Sequence, residues 1–217
     1  MYKYIIFDLD GTLMDTLNDI KDAMNVALKQ IGYNKQFNYE EAKSLVGSGA
    51  YVMMERAIRF SCGDIKDLDK LGQTFLPLYK EYQGRTTRPY EGMIETLKIL
   101  KSRGYELFIL TNKPHHLVDE LFDKFFGYDL FSDYQGQIVG EACKPDPIFT
   151  YKLLNKHNIK VSDCLFVGDS NIDVLVGKNV NMDTCLCLYG YGDEETRKDT
   201  YPKYKINTPI ELLDILK

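Results

Sequence analysis

The sequence predicts an α/β fold: a doubly wound parallel sheet interrupted by an all-helical domain. Three observations lead there. An apolar run at Tyr4–Leu9 ends in a cluster of turn and acidic residues, residues 16–85 carry only a helical period, and strands alternate with helices beyond Pro89.

Tyr4–Leu9 (YIIFDL) is short, continuous and apolar, which suits a strand covered on both faces. From Thr16 the period changes. Leu17, Ile20, Met24, Ala27, Leu28 and Ile31 recur every three or four residues, predicting an amphipathic helix that stops near Gly32. Tyr39–Val46, Tyr51–Phe60 and Ile65–Tyr82 read as further helices, the last bent near Pro77. Residues 16–85 are thus expected to form a helical cap, hinged near Asp15–Thr16 and Gly84–Pro89, and residues 1–15 and 86–217 the α/β core.

In the core, Ile94, Leu97 and Leu100 mark a helix ending at Gly104, and Tyr105–Leu110 is a strand. Leu117, Leu121 and Phe125 mark the next helix, and a strand follows around Tyr134–Val139. Pro145 and Pro147 open a helix to about His157. Cys164–Val167 (strand), Ile172–Lys178 (helix) and Thr184–Leu188 (strand) complete the alternation, with a last helix at Pro209–Leu216. Parallel strands joined by right-handed crossovers are the expected arrangement. Gly190–Lys203 reads as a polar surface excursion.

The 217 residues suffice for one core plus a small inserted domain, and 44% apolar with 27% charged residues is ordinary for a globular protein. The net charge of −5 argues against nucleic-acid binding and requires a phosphate site to bring its own cations. The five cysteines form no CxxC pair, so free thiols of a reducing compartment are expected rather than a disulfide or zinc framework. With no signal-like opening and no apolar run near the ~20 residues that span a bilayer, the expectation is a cytoplasmic protein with no membrane partner.

Ligands of such sheets bind outside the carboxyl ends of the strands. Asp8 and Asp10 follow the first strand; Thr111, Asn112 and Lys113 the second; Gly168, Asp169, Ser170 and Asp173 follow Cys164–Val167; Lys144 precedes Pro-Asp-Pro. Asp8 and Asp10, two apart in extended chain, point the same way. With Asp169 they crowd three carboxylates, a set that suits a hard cation such as Mg2+ sharing its shell with a phosphate. Gly11 permits a tight turn whose amides can face an anion. Lys144 and Thr111 can neutralise and hydrogen-bond a transferring phosphoryl group. One carboxylate can attack phosphorus and the other can move the proton.

In that order, "DLDGT", "TNK", "KPDP" and "GDSNIDV" resemble the four motifs of the haloacid dehalogenase superfamily, whose core is Rossmann-like, and the insertion resembles its small helical cap. The resemblance covers essentially the whole chain. It implies that Asp8 is nucleophile and Mg2+ ligand, and that Asp10 is general acid/base, binding the metal through its carbonyl. Thr111, Asn112 and Lys144 would hold the phosphoryl group, Asp169 would be a further metal ligand, and Asp173 would support the metal directly or through water. Dehalogenases lack the second aspartate of the first motif, so Asp10 implies phosphotransfer. "VGSGAYVMMERA" (Val46–Ala57) and "TNKPHHLVDELF" are similar to stretches of phosphoglycolate phosphatases, which makes 2-phosphoglycolate the expected substrate and Arg56 a candidate for its carboxylate. Pyrophosphatases, nucleotidases and phosphomutases share the core pattern and are the alternatives. The expected partner is a small phosphorylated metabolite, and the expected assembly a monomer or weak homodimer.

Overall fold

The computed structural model describes residues 2–127 and 129–217. The chain forms two units: Thr16–Arg88, and the stretch up to Asp15 together with Pro89–Lys217.

The first unit is helical. It comprises α1 (Leu17–Gln30), α2 (Tyr39–Lys43), α3 (Ala50–Phe60) and α4 (Leu68–Tyr82), with a 3-10 turn at Ile65–Asp67 leading into α4. The apolar stripe of α1 (Leu17, Ile20, Ala23, Met24, Ala27, Leu28) is buried, and α1 packs chiefly on α4, which buries Leu68, Leu71, Phe75 and Tyr79. Pro77 lies inside α4, which continues to Tyr82. The helix expected to reach Val46 stops at Lys43. It starts with a capping box, in which Asn38 accepts from the Glu41 amide and Glu41 from the Asn38 amide, and a glycine turn follows. Gly47 and Gly49 of that turn have φ of 100° and 87°, the left-handed region that glycine tolerates.

The return boundary falls at Arg88/Pro89, three residues beyond the sequence expectation. The reason is one carboxylate. Asp19, in the first turn of α1 and 1% exposed, accepts from the Gly84 amide (2.8 Å), from the Thr86 amide and hydroxyl (2.9 and 2.6 Å) and from the Thr87 amide and hydroxyl (3.1 and 2.7 Å). Residues 84–87 are thereby fastened to the helical unit.

The second unit is a parallel sheet of β1 (Tyr4–Phe7), β2 (Glu106–Pro114), β3 (Asp133–Gln137), β4 (Cys164–Gly168), β5 (Asp183–Cys187) and β6 (Tyr204–Ile206). The strand order is β3-β2-β1-β4-β5-β6. Helices α5 (Met93–Ser102), α6 (His115–Phe125), α7 (Pro147–Lys156), α8 (Asn171–Val180), α9 (Glu194–Lys198) and α10 (Leu212–Ile215) connect or flank the strands. Alternate residues of each strand feed opposite cores. Ile5, Phe7, Leu107, Ile109, Leu165 and Val167 pack with Leu97, Leu100, Val118 and Leu121. Ile6, Phe108, Leu110 and Phe166 pack with Phe149, Leu153, Val176 and Val180 on the other side. Double coverage explains why these strands are uniformly apolar.

Further elements differ from the sequence expectation: α9 lies within the stretch read as a surface excursion, and two strands depart from it. The second strand runs on through Thr111, Asn112 and Lys113 to Pro114, so these residues are strand rather than loop. β6 is an additional edge strand of three residues, paired to β5, too short and too polar in flank to announce itself by pattern. Cys164, Cys185 and Cys187 are buried free thiols. No described helix is long and apolar enough to cross a membrane.

Candidate active site

Register assembles the site. Phe7 pairs with Ile109 on one side and Val167 on the other, and the Asp8 amide continues the ladder to the Val167 carbonyl (2.9 Å). Asp8 therefore lies level with Leu110 and Gly168, one residue short of Thr111 and Asp169. Two central strands and their neighbour thus end their apolar runs in polar groups at one depth.

Lys144 stands at the centre. Its side chain is buried, and Nζ lies 2.7 Å from Asp8 Oδ1 and 2.8 Å from Asp173 Oδ1. The Phe166 ring lies beneath the ammonium, 5.5 Å from centroid to Nζ. Burial pulls the ammonium down, but Asp173 and Asp8 outweigh it and hold Lys144 above its ordinary value. Asn112 fixes the Lys144 backbone from both sides, donating through Nδ2 to the Lys144 carbonyl (2.9 Å) and accepting through Oδ1 from the Lys144 amide (2.8 Å). The side chain expected to hold a phosphoryl group therefore positions the lysine. An amide is the side chain that can donate and accept on one peptide unit.

Asp8, Asp169 and Asp173 are all buried, and an oxygen from each lies within 4.8 Å of the others. Burial pushes Asp8 up to about 7; Lys144 opposes this, while Asp173 and Asp10 add to it. Burial also raises Asp169 well above the usual carboxylate range, reinforced by Asp173 and Asp8 and opposed by hydrogen bonds from Thr12 and Tyr191. One ammonium against three buried carboxylates leaves a deficit of positive charge in an all-oxygen pocket. That donor set fits a hard divalent cation such as Mg2+.

Within this ring the acids differ. Asp173 has both oxygens engaged: Oδ1 with Lys144, and Oδ2 with the amides of Asp169 (3.1 Å) and Ser170 (2.9 Å) and the Ser170 hydroxyl (2.7 Å). It closes the capping box that starts α8 and serves as a counter-ion of Lys144. Asp169 accepts a single bond on each oxygen, from Thr12 Oγ1 (2.7 Å) and the Tyr191 amide (2.7 Å), which leaves lone pairs for a metal.

Gly11 has φ of 92°, and a Cβ there would sit 2.4 Å from Asp169 Oδ2. Its amide donates to the Met14 carbonyl, and the following amides of Thr12 and Leu13, expected to face an anion, donate to the Leu9 carbonyl inside the turn; Gly11 itself provides a close approach that only glycine permits. Thr111 is buried and its hydroxyl accepts from the Lys113 amide (3.2 Å). Asp10 stands at the margin, its side chain 18% exposed, with Oδ1 3.2 Å from Lys113 Nζ. Arg56, expected at a substrate carboxylate, is bound within the helical unit. Nη1 donates to the carbonyls of Ser44, Leu45 and Val46 (3.2 Å each) and Nη2 to Ser48 Oγ (3.0 Å), closing the turn after α2.

Some participants had no assigned role in the sequence. Thr12 and Lys113 lie inside quoted motifs. Gly190, Tyr191 and Gly192 belong to the stretch read as a surface excursion, yet they pack on Asp169. A Cβ at Gly190 would lie 2.3 Å from Asp169 Cβ, and one at Gly192 would lie 2.2 Å from the Asp169 carbonyl oxygen. Tyr189 donates to the Thr12 carbonyl (3.0 Å) and Tyr191 to Asp15 Oδ1 (2.9 Å), tying this loop to the first one. The alternation Tyr-Gly-Tyr-Gly at 189–192 was the available signal.

The profile of the haloacid dehalogenase-like hydrolase family matches residues 5–187. The phosphoglycolate phosphatase of Psychrobacter arcticus is 32% identical over 220 residues, covering 99% of this chain and 95% of that one. That of Haemophilus influenzae is also 32% identical, covering 99% and 98%. A crystal structure of a predicted phosphoglycolate phosphatase from Haemophilus somnus superposes with a TM-score of 0.91 at 29% identity, covering 100% of this chain and 98% of that one.

Proposed function

The chain belongs to the haloacid dehalogenase-like hydrolase family and is a phosphatase; from that premise we propose that it is Mg2+-dependent, works through an aspartyl-phosphate on Asp8, and acts on 2-phosphoglycolate. The observation that carries the mechanism is the buried contact between Lys144 and Asp8, with Asp169 beside it and Asp10 at the margin. An attacking carboxylate needs a fixed position and a neighbouring cation to receive the phosphoryl group. Asp8 has both.

Asp8 and Asp169, with the Asp10 carbonyl, would hold the metal. The chemistry that Mg2+ supplies when bound is neutralisation of these carboxylates and of the phosphoryl oxygens. An Asp8 oxygen forms the new bond to phosphorus as the ester P–O bond breaks. The electron pair goes to the leaving oxygen, which takes the proton carried by the Asp10 side chain. Asp10, now a carboxylate, then takes a proton from water, whose oxygen attacks phosphorus and returns Asp8 and inorganic phosphate. Thr111 and Lys144 donate to the phosphoryl oxygens throughout.

The names of the relatives support 2-phosphoglycolate as substrate. The test is kcat/KM, with Mg2+ present, for 2-phosphoglycolate against pyrophosphate, nucleoside monophosphates and hexose phosphates. The highest value is expected for 2-phosphoglycolate. A tenfold preference for any of the others replaces it as the substrate.

A further inference from the structure

Lys113 is a buried cation with no part in the reaction as described. Its side chain is 1% exposed, yet Nζ stands 3.2 Å from Asp10 Oδ1, at the margin of the site. The end of β2 that carries it is anchored through Lys113 and its neighbour Asn112. The Lys113 amide donates to Thr111 Oγ1 (3.2 Å), and the Asn112 side chain is locked to the Lys144 peptide. Burying an ammonium at such a place costs more than burying an apolar residue of the same length, so stability does not account for a lysine here.

Asp10 carries the shuttled proton, and its usefulness depends on where its carboxyl group points. The Asp10 side chain is 18% exposed and sits two residues beyond the nucleophile, where the Asp10–Met14 bridge opens the turn. We propose that Lys113 is the positioning residue for Asp10: its ammonium fixes Oδ1 and leaves Oδ2 as the oxygen that gives the proton to the leaving group and later takes one from water. This rests on the reading of Asp10 as the proton carrier. The proton moves from Asp10 Oδ2 to the ester oxygen as the P–O bond breaks, and Lys113 keeps its own protons in both steps.

A positioning role for proton donation has a signature that general disruption lacks. Aryl phosphates with acidic leaving groups depart without a proton, whereas poor leaving groups need one. kcat/KM is therefore measured with Mg2+ along a series from 2,4-dinitrophenyl phosphate to phenyl phosphate, for the native protein and for Lys113→Met, Lys113→Arg and Asp10→Asn. For Lys113→Met we expect a loss with phenyl phosphate about tenfold or more greater than with the dinitrophenyl ester. Lys113→Arg is expected to recover most of the difference. Lys113→Gln is read by the same criterion if Lys113→Met does not fold. A loss equal across the series in Lys113→Met or Lys113→Gln overturns the proposal, as does a Lys113→Arg profile as steep as that of Lys113→Met. Asp10→Asn separates the two layers. If it gives the steep profile and Lys113→Met does not, only the role of Lys113 fails. If Asp10→Asn is itself uniform, the reading of Asp10 as proton carrier fails.

Discussion

Lys144 and Asp8 form a buried ion pair at 2.7 Å, and the same ammonium serves Asp173 at 2.8 Å. Removing it leaves two buried carboxylates without their cation. Lys144→Ala is expected to lose about 3–5 kcal/mol in urea unfolding of the metal-free protein, together with nearly all turnover. A loss under 1 kcal/mol contradicts the pairing.

Asp8→Asn keeps shape and hydrogen bonding but removes the nucleophilic oxygen. Turnover is expected to fall by about 10⁴-fold or more while circular dichroism is unchanged. Near-native rates in this variant exclude Asp8 as the attacking group.

Metal dependence and pH are coupled at this site. Asp8 is pushed up to about 7 and Asp169 well above the carboxylate range, against ~3.9 for an unfolded aspartate. Between those values the folded, metal-free protein holds protons that the unfolded chain has released. The site's contribution to stability therefore falls as pH rises from about 4 through 7. A cation requires the ionised forms and so binds better as these protons leave. The gain in Tm on adding Mg2+, relative to EDTA, is expected to be larger at pH 8 than at pH 6. Equal gains at both values would be the contrary result.

Asp19 works in the opposite sense. Burial raises it, but the hydroxyls and amides of Thr86 and Thr87 outweigh that and hold it below the usual range. A depressed carboxylate stabilises fully above its unfolded value of ~3.9, and the contribution is lost as pH falls through the folded value. Asp19→Ala leaves five donors unsatisfied and is expected to cost about 3 kcal/mol at pH 7. The gap to the native protein should be level from pH 5 to 8 and narrow below about pH 4, measured by denaturant titration. A gap that persists undiminished at pH 3 would refute this account.

Gly190 is required by the approach of Asp169. In Gly190→Ala the new Cβ meets Asp169 Cβ at 2.3 Å and the Gly11 carbonyl oxygen at 2.4 Å. Displacing this acid is expected to raise the Mg2+ concentration for half-maximal activity by about 10–100-fold. Gly104→Ala is the control: its φ of 90° strains a side chain, but no atom lies within 4 Å of the added carbon. It should lower Tm and leave the Mg2+ requirement alone.

The sequence by itself determined the fold class, most of the elements and the family, because these are written in local pattern. The runs around Ile5, Phe108 and Phe166 are apolar on both faces, which only a doubly covered strand tolerates, and each ends in a polar residue at the sheet edge. The period of α1 is equally local. Tertiary structure decided which side chains meet. Asn112 clasps the Lys144 peptide, Tyr191 reaches Asp169, Lys113 faces Asp10 and Asp19 holds Thr87, across sequence separations of 32, 22, 103 and 68 residues. Arg56 turned inward to three carbonyls for the same reason. A side chain's type fixes what it can bond. Its partner depends on strand register and on the path of the intervening chain, and no periodicity within one segment records either.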